Sequence, residues 1–334
     1  MVRGIPDCGR APEELYVAYA PVREEMARVE QLLREVLQSQ YPFLDRLMQH
    51  GFQLGGKRMR PALVLLAGKA SGELTAEHPL VAGAVELIHT ATLIHDDVLD
   101  EATIRRHLAT VNARWDNEAS VLLGDYLFAH ALMMASSLET TYACRALAEA
   151  SRVMCEGELH QVENRGKHDL TEEDYLSIIS DKTAALCECC CRLGAHYAGA
   201  TPEHCEALAR FGHDLGIAFQ ITDDVLDVQG DEAKTGKSLG TDFLKQKATL
   251  PLIRLLGQAD ASDRRQVVEI LAHPDPDHRR ALRPWLERYE AVDYARQKAL
   301  LYVRIAQEQL EELPGSPARE SLKLLADFVI GRQQ

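Results

Sequence analysis

The sequence predicts an all-α protein, and three observations support this. Helical periodicity runs through almost all of the 334 residues, and there is no strand-rich block. Leu and Ala, which favour helices, are plentiful, whereas only 6% of residues are aromatic. Apolar residues make up 46% of the chain, which supports a sizeable core. Because no long Pro/Ser-rich linker divides the chain, we predict one domain over residues 1–334, built as a bundle of roughly a dozen helices.

The predicted helices follow one another with short interruptions. One or two amphipathic helices open the chain over residues 15–37, and residues 1–30 are predicted to be an N-terminal helical extension. Thr171, three residues before Asp174, and Thr201 before Pro202 indicate helix N-termini. Further helices are predicted over residues 61–70, 80–100, 118–139, 142–164, 172–199, 202–228, 248–258, 263–272, 278–287, 291–312 and 317–331.

Charge and apolar patterning exclude several classes of partner. The net charge is −14, which argues against nonspecific binding of nucleic acid and against a basic face that docks on membranes. The N-terminus has no apolar core of a signal peptide, and no run of 18 apolar residues occurs. We therefore expect a soluble, cytoplasmic protein with reduced thiols and no stable membrane insertion.

A cysteine cluster invites a metal hypothesis. Cys187 is followed by the consecutive residues Cys189, Cys190 and Cys191. Three consecutive residues of a helix point in three directions, so they do not converge on one ion. Cysteine is also a small apolar residue that packs well in cores. We predict core packing for this cluster.

Two identical aspartate-rich boxes are the most informative motif. Residues 96–100 and residues 223–227 both have the sequence DDVLD, and each box lies in an apolar, helix-forming stretch. Three carboxylates so close together repel one another, and an apolar environment makes their ionisation costly. A hard divalent cation such as Mg²⁺ offsets that cost, since it prefers carboxylate oxygens, water and phosphate.

The spacing within each box suits a metal-bound diphosphate. On a helix, Asp96 and Asp100 lie on one face, with Asp97 about 100° around the axis. The second box has the same geometry. The alternative is that each box is only a solvated acidic face, but two identical boxes with basic companions favour Mg²⁺ and a diphosphate.

Basic residues near the boxes indicate additional anion sites. The segment Gly55-Gly56-Lys57 frees the backbone for close approach to a ligand and adds a cation, and Arg60 follows. Arg105-Arg106 comes soon after the first box. Each of these groups alone is compatible with a solvated loop or surface pair. Lys182-Thr183 at a helix start and Lys237 in a Gly-rich loop add further cations, so the set suits two diphosphates.

These motifs resemble those of the trans-type polyprenyl diphosphate synthases, in the family's order, over residues 45–255. The matching motifs are GGKRxRP at 55–61, the first aspartate box with Arg-Arg at 96–106, GDY at 124–126, EGExxQ at 156–161, KTA at 182–184, QITDDxLD at 220–227 and GKxxGxD at 236–242. The resemblance implies the all-α isoprenoid synthase fold around a central cavity, a prenyltransferase activity and a homodimer.

The resemblance also assigns roles to individual residues. The catalytic set is Asp96, Asp97, Asp100, Lys182, Asp223 and Asp224. The metal ligands would be Asp96, Asp97, Asp100, Asp223, Asp224 and Asp227, holding three Mg²⁺ ions per active site. The allylic diphosphate would contact Arg105, Lys182, Thr183, Gln220 and Lys237, with Lys247 beyond. Isopentenyl diphosphate would bind Gly56, Lys57, Arg60, His89 and Arg106. A buried core histidine is the alternative for His89.

The implied reaction is head-to-tail prenyl transfer by ionisation, condensation and elimination. Diphosphate leaves only when its charge is neutralised, so cations stabilise its departure. The allylic carbocation is attacked by the double bond of isopentenyl diphosphate, and water must be excluded. We expect the departing diphosphate to take the proton, so no side chain is assigned as the general base.

Residues before the first box predict the product length. Ala91 and Thr92, one turn before the box, are small where short-chain members of the family carry an aromatic plug, and Ile88 below them is only medium-sized. An open tunnel predicts a product longer than geranylgeranyl diphosphate, with octaprenyl diphosphate as the best match. Phe128 on a facing helix, with its neighbours Leu127, Ala131 and Leu132, is a candidate floor.

Two positions depart from the family pattern, and three alternatives remain. His107 follows Arg-Arg where the family usually has Gly, and Gln246 replaces Gly before Lys247. The alternatives are a short-chain synthase making farnesyl or geranylgeranyl diphosphate, a non-catalytic subunit of a heteromeric synthase, and a terpene cyclase. The small residues Ala91 and Thr92 argue against a short-chain synthase, and the two complete aspartate boxes argue against a non-catalytic subunit. The second cationic site argues against a terpene cyclase.

Overall fold

The computed structural model describes residues 13–53, 56–230, 240–272 and 278–331. Within them, the predicted all-α class is confirmed. The helices are α1 (Glu13–Ala18), α2 (Arg23–Val36), α3 (Pro42–Gln53), α4 (Met59–Ser71), α5 (Glu77–Leu99), α6 (Val111–Arg114), α7 (Asn117–Ser136), α8 (Tyr142–Glu163), α9 (Glu172–Ile179), α10 (Ala185–Tyr197), α11 (Pro202–Gln229), α12 (Thr241–Leu244), α13 (Leu250–Gln258), α14 (Ala261–Leu271), α15 (His278–Arg288), α16 (Ala291–Gln309) and α17 (Pro317–Gly331). Short 3₁₀ turns occur at Ala20–Val22 and Leu310–Glu312.

The chain divides into two compact units. The first comprises Met1–Ala148, Cys189–Ala209 and Leu310–Phe328, and the second comprises Glu149–Glu188, Arg210–Gln309 and Val329–Gln334. The predicted single domain over residues 1–334 stays a prediction.

Helix α5 is the centre of the first unit. It packs against α2, α4 and α7, and most of its residues are buried. Glycines allow close approach between helices here: a Cβ at Gly194 of α10 would lie 2.1 Å from the Val64 carbonyl oxygen of α4. The apolar patterns of α4 and α5 therefore build the layer that supports the first aspartate box.

Helices α9, α11 and α13–α16 form the core of the second unit. Ile217, Ile221 and Val225 lie on one face of α11, and all three are buried in a cluster that includes Leu250 of α13 and Ala295 of α16. The second box shares α11 with this apolar face, so core packing fixes the helix that carries it.

Several local features differ from the sequence-based expectations. The predicted helix over 172–199 contains a π turn at Ser180–Ala184, which separates α9 from α10. Helix α3 and the short helices α6 and α12 were not predicted. After the first box, β1 (Ile104–Arg105) and β2 (Leu108–Ala109) form a small antiparallel hairpin.

The hairpin turn explains why the family usually has Gly after Arg-Arg. Arg106 has φ of 52° and His107 has φ of 63°. Two central residues with positive φ are typical of a type I′ turn, which Gly adopts without steric cost. His107 therefore occupies a position that favours Gly.

Helix α7 is the one helix among the described residues that is long and apolar enough to cross a membrane by length and composition. In the most apolar part of this helix, 44% of the residues are buried within the protein, and core helices of soluble proteins meet the same criterion.

Candidate functional site

The first aspartate box lies at the C-terminal end of α5, where Asp100 is the C-cap residue. Carboxylates are unfavourable there because the helix dipole is negative at that end. The hairpin brings Arg105 back to Asp97, and its Nε and one terminal nitrogen each lie 2.8 Å from the same Asp97 Oδ1. Asp97 is buried, whereas Asp96 and Asp100 are partly exposed. Arg105, predicted to contact a diphosphate, thus pairs with a box aspartate in this structure.

A cluster of cations lies beside the same helix, and it includes several predicted anion-binding residues. The Arg60 guanidinium donates to the His89 Nε2 at 2.9 Å. Burial and the nearby charges of Arg60, Arg106 and Arg105 hold the pKa of His89 well below its usual range. His89 is therefore a neutral acceptor at Nε2, and it orients Arg60.

Gly56 gives the Arg106 guanidinium its place. A Cβ at Gly56 would lie 2.3 Å from a terminal nitrogen of Arg106. A larger residue would displace that guanidinium, which is the end of a flexible side chain, so the glycine allows Arg106 to take this position. The structure therefore brings together Gly56, Arg60, His89 and Arg106, as the sequence predicted.

Lys57 is contacted by two aromatic residues, one from the N-terminal part of the chain and one from the C-terminal part. Its ammonium lies 4.5 Å from the ring centroid of Phe328 on α17, and its carbonyl accepts a hydrogen bond of 2.8 Å from the Tyr19 hydroxyl. The negative face of the ring attracts the ammonium, so Phe328 helps to fix the position of this cation. Neither Phe328 nor Tyr19 was predicted, because neither stands near a recognisable motif.

Arg58, between the two predicted anion-binding cations, has a structural role. It has a left-handed backbone with φ of 53°. Its guanidinium contacts Glu30 Oε1 at 2.7 Å and Glu86 Oε1 at 2.6 Å. Only 3% of the Glu86 side chain is exposed. The motif GGKRxRP therefore contains a buried ion pair that ties α2 and α5 to the loop.

The second box extends along α11 in the second unit. Asp223 is partly exposed, whereas Asp224 and Asp227 are buried. The Asp227 Oδ2 accepts from the Asp242 backbone N–H at 3.3 Å. Burial and the nearby charge of Asp242 raise the pKa of Asp224 to about 8, against donors that favour its ionised form.

Asp224 is the end of a chain of hydrogen bonds. The Tyr175 hydroxyl donates to its Oδ2 at 2.7 Å, and the Gln220 amide donates to its Oδ1 at 2.8 Å. The Thr183 hydroxyl in turn donates to the Gln220 Oε1 at 2.9 Å. Thr183 and Gln220, which are predicted to contact the allylic diphosphate, are thus hydrogen-bonded to each other in this structure. Tyr175 was missed, since no motif signals it.

The π turn presents Lys182 to helix α8. Its Nζ donates to Gln161 Oε1 at 2.8 Å and pairs with Glu158. A Cβ at Gly157 would lie 2.5 Å from the Lys182 backbone nitrogen, so the glycine permits this approach. Glu158 and Gln161 lie about one turn apart on α8, as the motif EGExxQ spaces them. This spacing is the sequence feature that could have identified both as contacts of Lys182.

The remaining predicted positions are distributed as follows. Lys247 is buried, and its backbone N–H donates to the backbone carbonyl of Asp242 at 2.8 Å. Gln246 has φ of 53°, which explains the family's preference for Gly at this position. Lys237 lies outside the described residues. Cys187, Cys189, Cys190 and Cys191 are buried and form no disulfide, in agreement with the prediction of core packing.

The donor chemistry of both boxes fits Mg²⁺. Within the described residues, no group of three His, Cys, Asp or Glu side chains is arranged to enclose a metal ion. Mg²⁺ characteristically takes one or two carboxylates and completes its octahedron with water and substrate phosphate. The partly exposed Asp96, Asp100 and Asp223 are oxygen donors of that kind.

Comparison with known proteins identifies the family. The polyprenyl synthetase family matches residues 41–287. A short chain isoprenyl diphosphate synthase from Methanothermobacter thermautotrophicus is 38% identical over 87% of this chain and 90% of its own length. Octaprenyl diphosphate synthase from Escherichia coli is 36% identical over 93% and 97%, respectively. Heptaprenyl diphosphate synthase component 2 from Geobacillus stearothermophilus is 35% identical over 95% and 98%.

A solved structure agrees with this assignment. A polyprenyl synthase from Caulobacter crescentus, complexed with calcium and isoprenyl diphosphate, matches with a TM-score of 0.90 and 35% identity, covering 96% of this chain and 98% of that one. The resemblance seen in the motifs is therefore confirmed. The chain belongs to the polyprenyl synthetase family and is a prenyltransferase.

Proposed function

We propose that this protein is a long-chain trans-polyprenyl diphosphate synthase, octaprenyl-like in its product, that condenses isopentenyl diphosphate onto an allylic prenyl diphosphate. The observation that carries the proposal is the cation cluster of Arg60 and Arg106, together with Gly56 and the neutral His89, next to a complete aspartate box on α5. A cluster of cations separate from the acidic ligands suits a second diphosphate substrate. A terpene cyclase needs no such second site.

The two boxes would hold the allylic diphosphate through Mg²⁺. When bound, Mg²⁺ neutralises the diphosphate so that it can leave. The ligands proposed are Asp96, Asp97, Asp100, Asp223, Asp224 and Asp227, with three ions. Arg105, Lys182, Thr183, Gln220, Lys237 and Lys247 would support the same diphosphate, after exchanging some of the protein contacts described above for contacts with it.

The cation cluster would hold isopentenyl diphosphate. Arg60 and Arg106 offer planar, bidentate donors, and Lys57 adds a compact charge. Neutral His89 sets the orientation of Arg60 without adding a charge of its own. The allylic carbocation is then attacked by the double bond of isopentenyl diphosphate, and the departing diphosphate accepts the proton that is lost.

The product length depends on the path along α5 below Asp96. A Cβ at Gly83 would lie 2.9 Å from the Met134 Cε, and one at Gly124 would lie 2.1 Å from the His95 ring. Helices α5 and α7 are therefore antiparallel, and equal rise per residue places Ala91 at about the level of Tyr126 to Phe128. Phe128 is partly exposed and Ala91 is buried. This level supports Ala91, Thr92, Ile88 and Phe128 as the chain-length residues.

Replacing Ala91 by phenylalanine is expected to shorten the product. The added ring would fill the small space one turn below the box, and elongation would stop after fewer condensations. Chromatography of the prenyl products, compared with those of an Ala299→Phe variant in the core of the second unit, measures the change. An unchanged product ladder for Ala91→Phe would contradict the open tunnel.

Replacing Phe328 by leucine is expected to raise the KM for isopentenyl diphosphate about two- to fivefold, because a cation–π contact at an exposed site contributes about 0.5–1 kcal/mol. The KM for the allylic substrate should stay unchanged. Phe328→Tyr retains the aromatic face and serves as the control. Equal rises in both KM values would contradict a specific role for Phe328 at Lys57.

The apolar surface of α7 supports a homodimer. Leu122 is 60% exposed and Met133 is 58% exposed, on a helix whose residues are mostly apolar. Such a face favours a partner, here proposed to be a second copy of the chain.

Leu122→Glu combined with Met133→Glu is expected to yield monomers in light scattering after gel filtration. Leu301→Glu on α16, where the side chain is 46% exposed, is the control and should leave the dimer intact.

The decisive test is an assay of the purified protein. Farnesyl diphosphate, labelled isopentenyl diphosphate and Mg²⁺ are supplied, and the products are resolved by length. A ladder ending at about eight isoprene units supports the proposal. Termination at C15 or C20 would favour the short-chain alternative, which the Methanothermobacter relative's name describes. Activity only after addition of a second protein would favour a heteromeric synthase, as the name of the Geobacillus relative suggests.

A further inference from the structure

We propose that Tyr175 is a positioning residue for the magnesium–diphosphate complex and that it acts through Asp224. This inference rests on the proposed function and adds a residue that no motif contains. Tyr175 lies on α9, five residues before the π turn, and only 3% of its surface is exposed. Its hydroxyl reaches across to α11 and donates to Asp224 at 2.7 Å.

The carboxylate of Asp224 is fixed from two sides. Tyr175 holds Oδ2 and Gln220 holds Oδ1, so rotation of the carboxylate would break one of two buried hydrogen bonds. Leaving a buried polar group unpaired is costly. Asp224, which is 4% exposed, is therefore a carboxyl group of fixed position and orientation.

The same network connects the box to the π turn. Thr183 donates to Gln220, and Gln220 donates to Asp224 through the other end of its amide. Three hydrogen bonds thus link α9, the π turn and α11. Tyr175 completes the network, because it donates to the Asp224 carboxylate oxygen that Gln220 does not contact.

Asp223 is the neighbour that this arrangement serves. It follows Thr222 on α11, lies about 100° around the helix from Asp224 and is partly exposed. Asp223 and Asp224 can bind the same magnesium–diphosphate complex only if the orientation of the two carboxylates relative to each other is kept. Supporting residues of this kind change metal affinity about 10- to 100-fold when they are removed, although they do not touch the metal.

The test replaces Tyr175 by phenylalanine and measures two responses to Mg²⁺. The first is the Mg²⁺ concentration that gives half-maximal prenyl transfer, and the second is the rise in Tm on addition of Mg²⁺ and inorganic diphosphate. We expect the Mg²⁺ requirement to increase about tenfold and the rise in Tm to shrink. A purely structural role would lower the Tm without Mg²⁺ and leave both responses to Mg²⁺ unchanged.

Tyr294→Phe is the matched control. The Tyr294 hydroxyl donates to Glu172 at 2.6 Å in the same unit, and neither residue belongs to the aspartate box. This variant should keep the wild-type response to Mg²⁺. Asp224→Asn is a second, independent variant. Tyr175→Phe should have no additional effect in the Asp224→Asn background, since the tyrosine acts through that carboxylate.

The outcomes separate this inference from the proposed function. A wild-type response to Mg²⁺ in Tyr175→Phe, or in Asp224→Asn should the tyrosine variant fail to fold, would overturn the role of Tyr175. Independent, additive effects of the two substitutions would also overturn it. A wild-type protein that neither transfers prenyl groups nor responds to Mg²⁺ would instead overturn the proposed function, and this inference with it.

Discussion

Asp96→Asn is expected to lower kcat about 10²- to 10³-fold, the usual cost of removing one group that stabilises charge at a reacting centre. Asp96 is partly exposed at the end of α5, whereas the adjacent Asp97 is buried and bound by Arg105. Of the two neighbours, Asp96 is thus the carboxylate better placed to meet a metal ion. Asparagine keeps the size and an oxygen donor but removes the charge.

The measurement is steady-state prenyl transfer over a series of Mg²⁺ concentrations. Raised Mg²⁺ should restore part of the lost rate, because a neutral oxygen still binds the ion weakly. Asp293→Asn provides the control: Asp293 pairs with Arg296 on α16, and its side chain is 68% exposed. An Asp96→Asn variant with the kcat of the control would show that the first box does not bind the metal.

Arg58→Met is expected to reduce the free energy of unfolding by about 3–5 kcal/mol, the cost of removing one partner of a buried ion pair. The guanidinium is largely buried and balances Glu86, which would be left as an uncompensated charge between α2 and α5. The left-handed backbone at this position adds to the strain that the ion pairs offset.

Chemical denaturation of the variants tests this expectation. Arg283→Met, at an ion pair with a 77% exposed arginine, should change the free energy of unfolding by less than about 0.5 kcal/mol. Adding Glu86→Gln to Arg58→Met should recover part of the loss, because the second change removes the orphaned charge. A loss no larger for Arg58→Met than for Arg283→Met would mean that the buried pair contributes little.

Periodicity predicted most of the helices because long amphipathic segments carry a strong local signal. Helix α17 begins and ends at the predicted residues, and the predicted capping box of Thr171 and Asp174 is present at the start of α9. The π turn was missed because one extra residue in a helical turn hardly changes an apolar pattern. Helix α3 was missed because its short pattern lies in a segment with Pro42 and Gly51.

The candidate site was predicted to a similar extent. The ordered motifs pointed to Arg60 and Arg106, the family resemblance added His89, and the structure brings these three together. Tyr175 and Phe328 could not be found in this way, because their contacts join segments 49 and 271 residues apart in the sequence (224 − 175 and 328 − 57). Pairing of Arg105 with Asp97 also depends on the hairpin, whose turn contains two residues that rarely take positive φ.

The π turn has a consequence for how this chain tolerates changes in length. A π turn holds one residue more than the α-helical turn it replaces, so the loss of one residue from Ser180–Ala184 can be absorbed by a return to α-helical geometry that leaves α9 and α10 in their present register, although Lys182 would leave Gln161. An insertion cannot be absorbed in this way, because each further residue turns the helix that follows by about 100°. The buried cysteines of α10 would then face solvent. In a library of variants, single deletions in this segment should therefore leave the protein folded more often than single insertions.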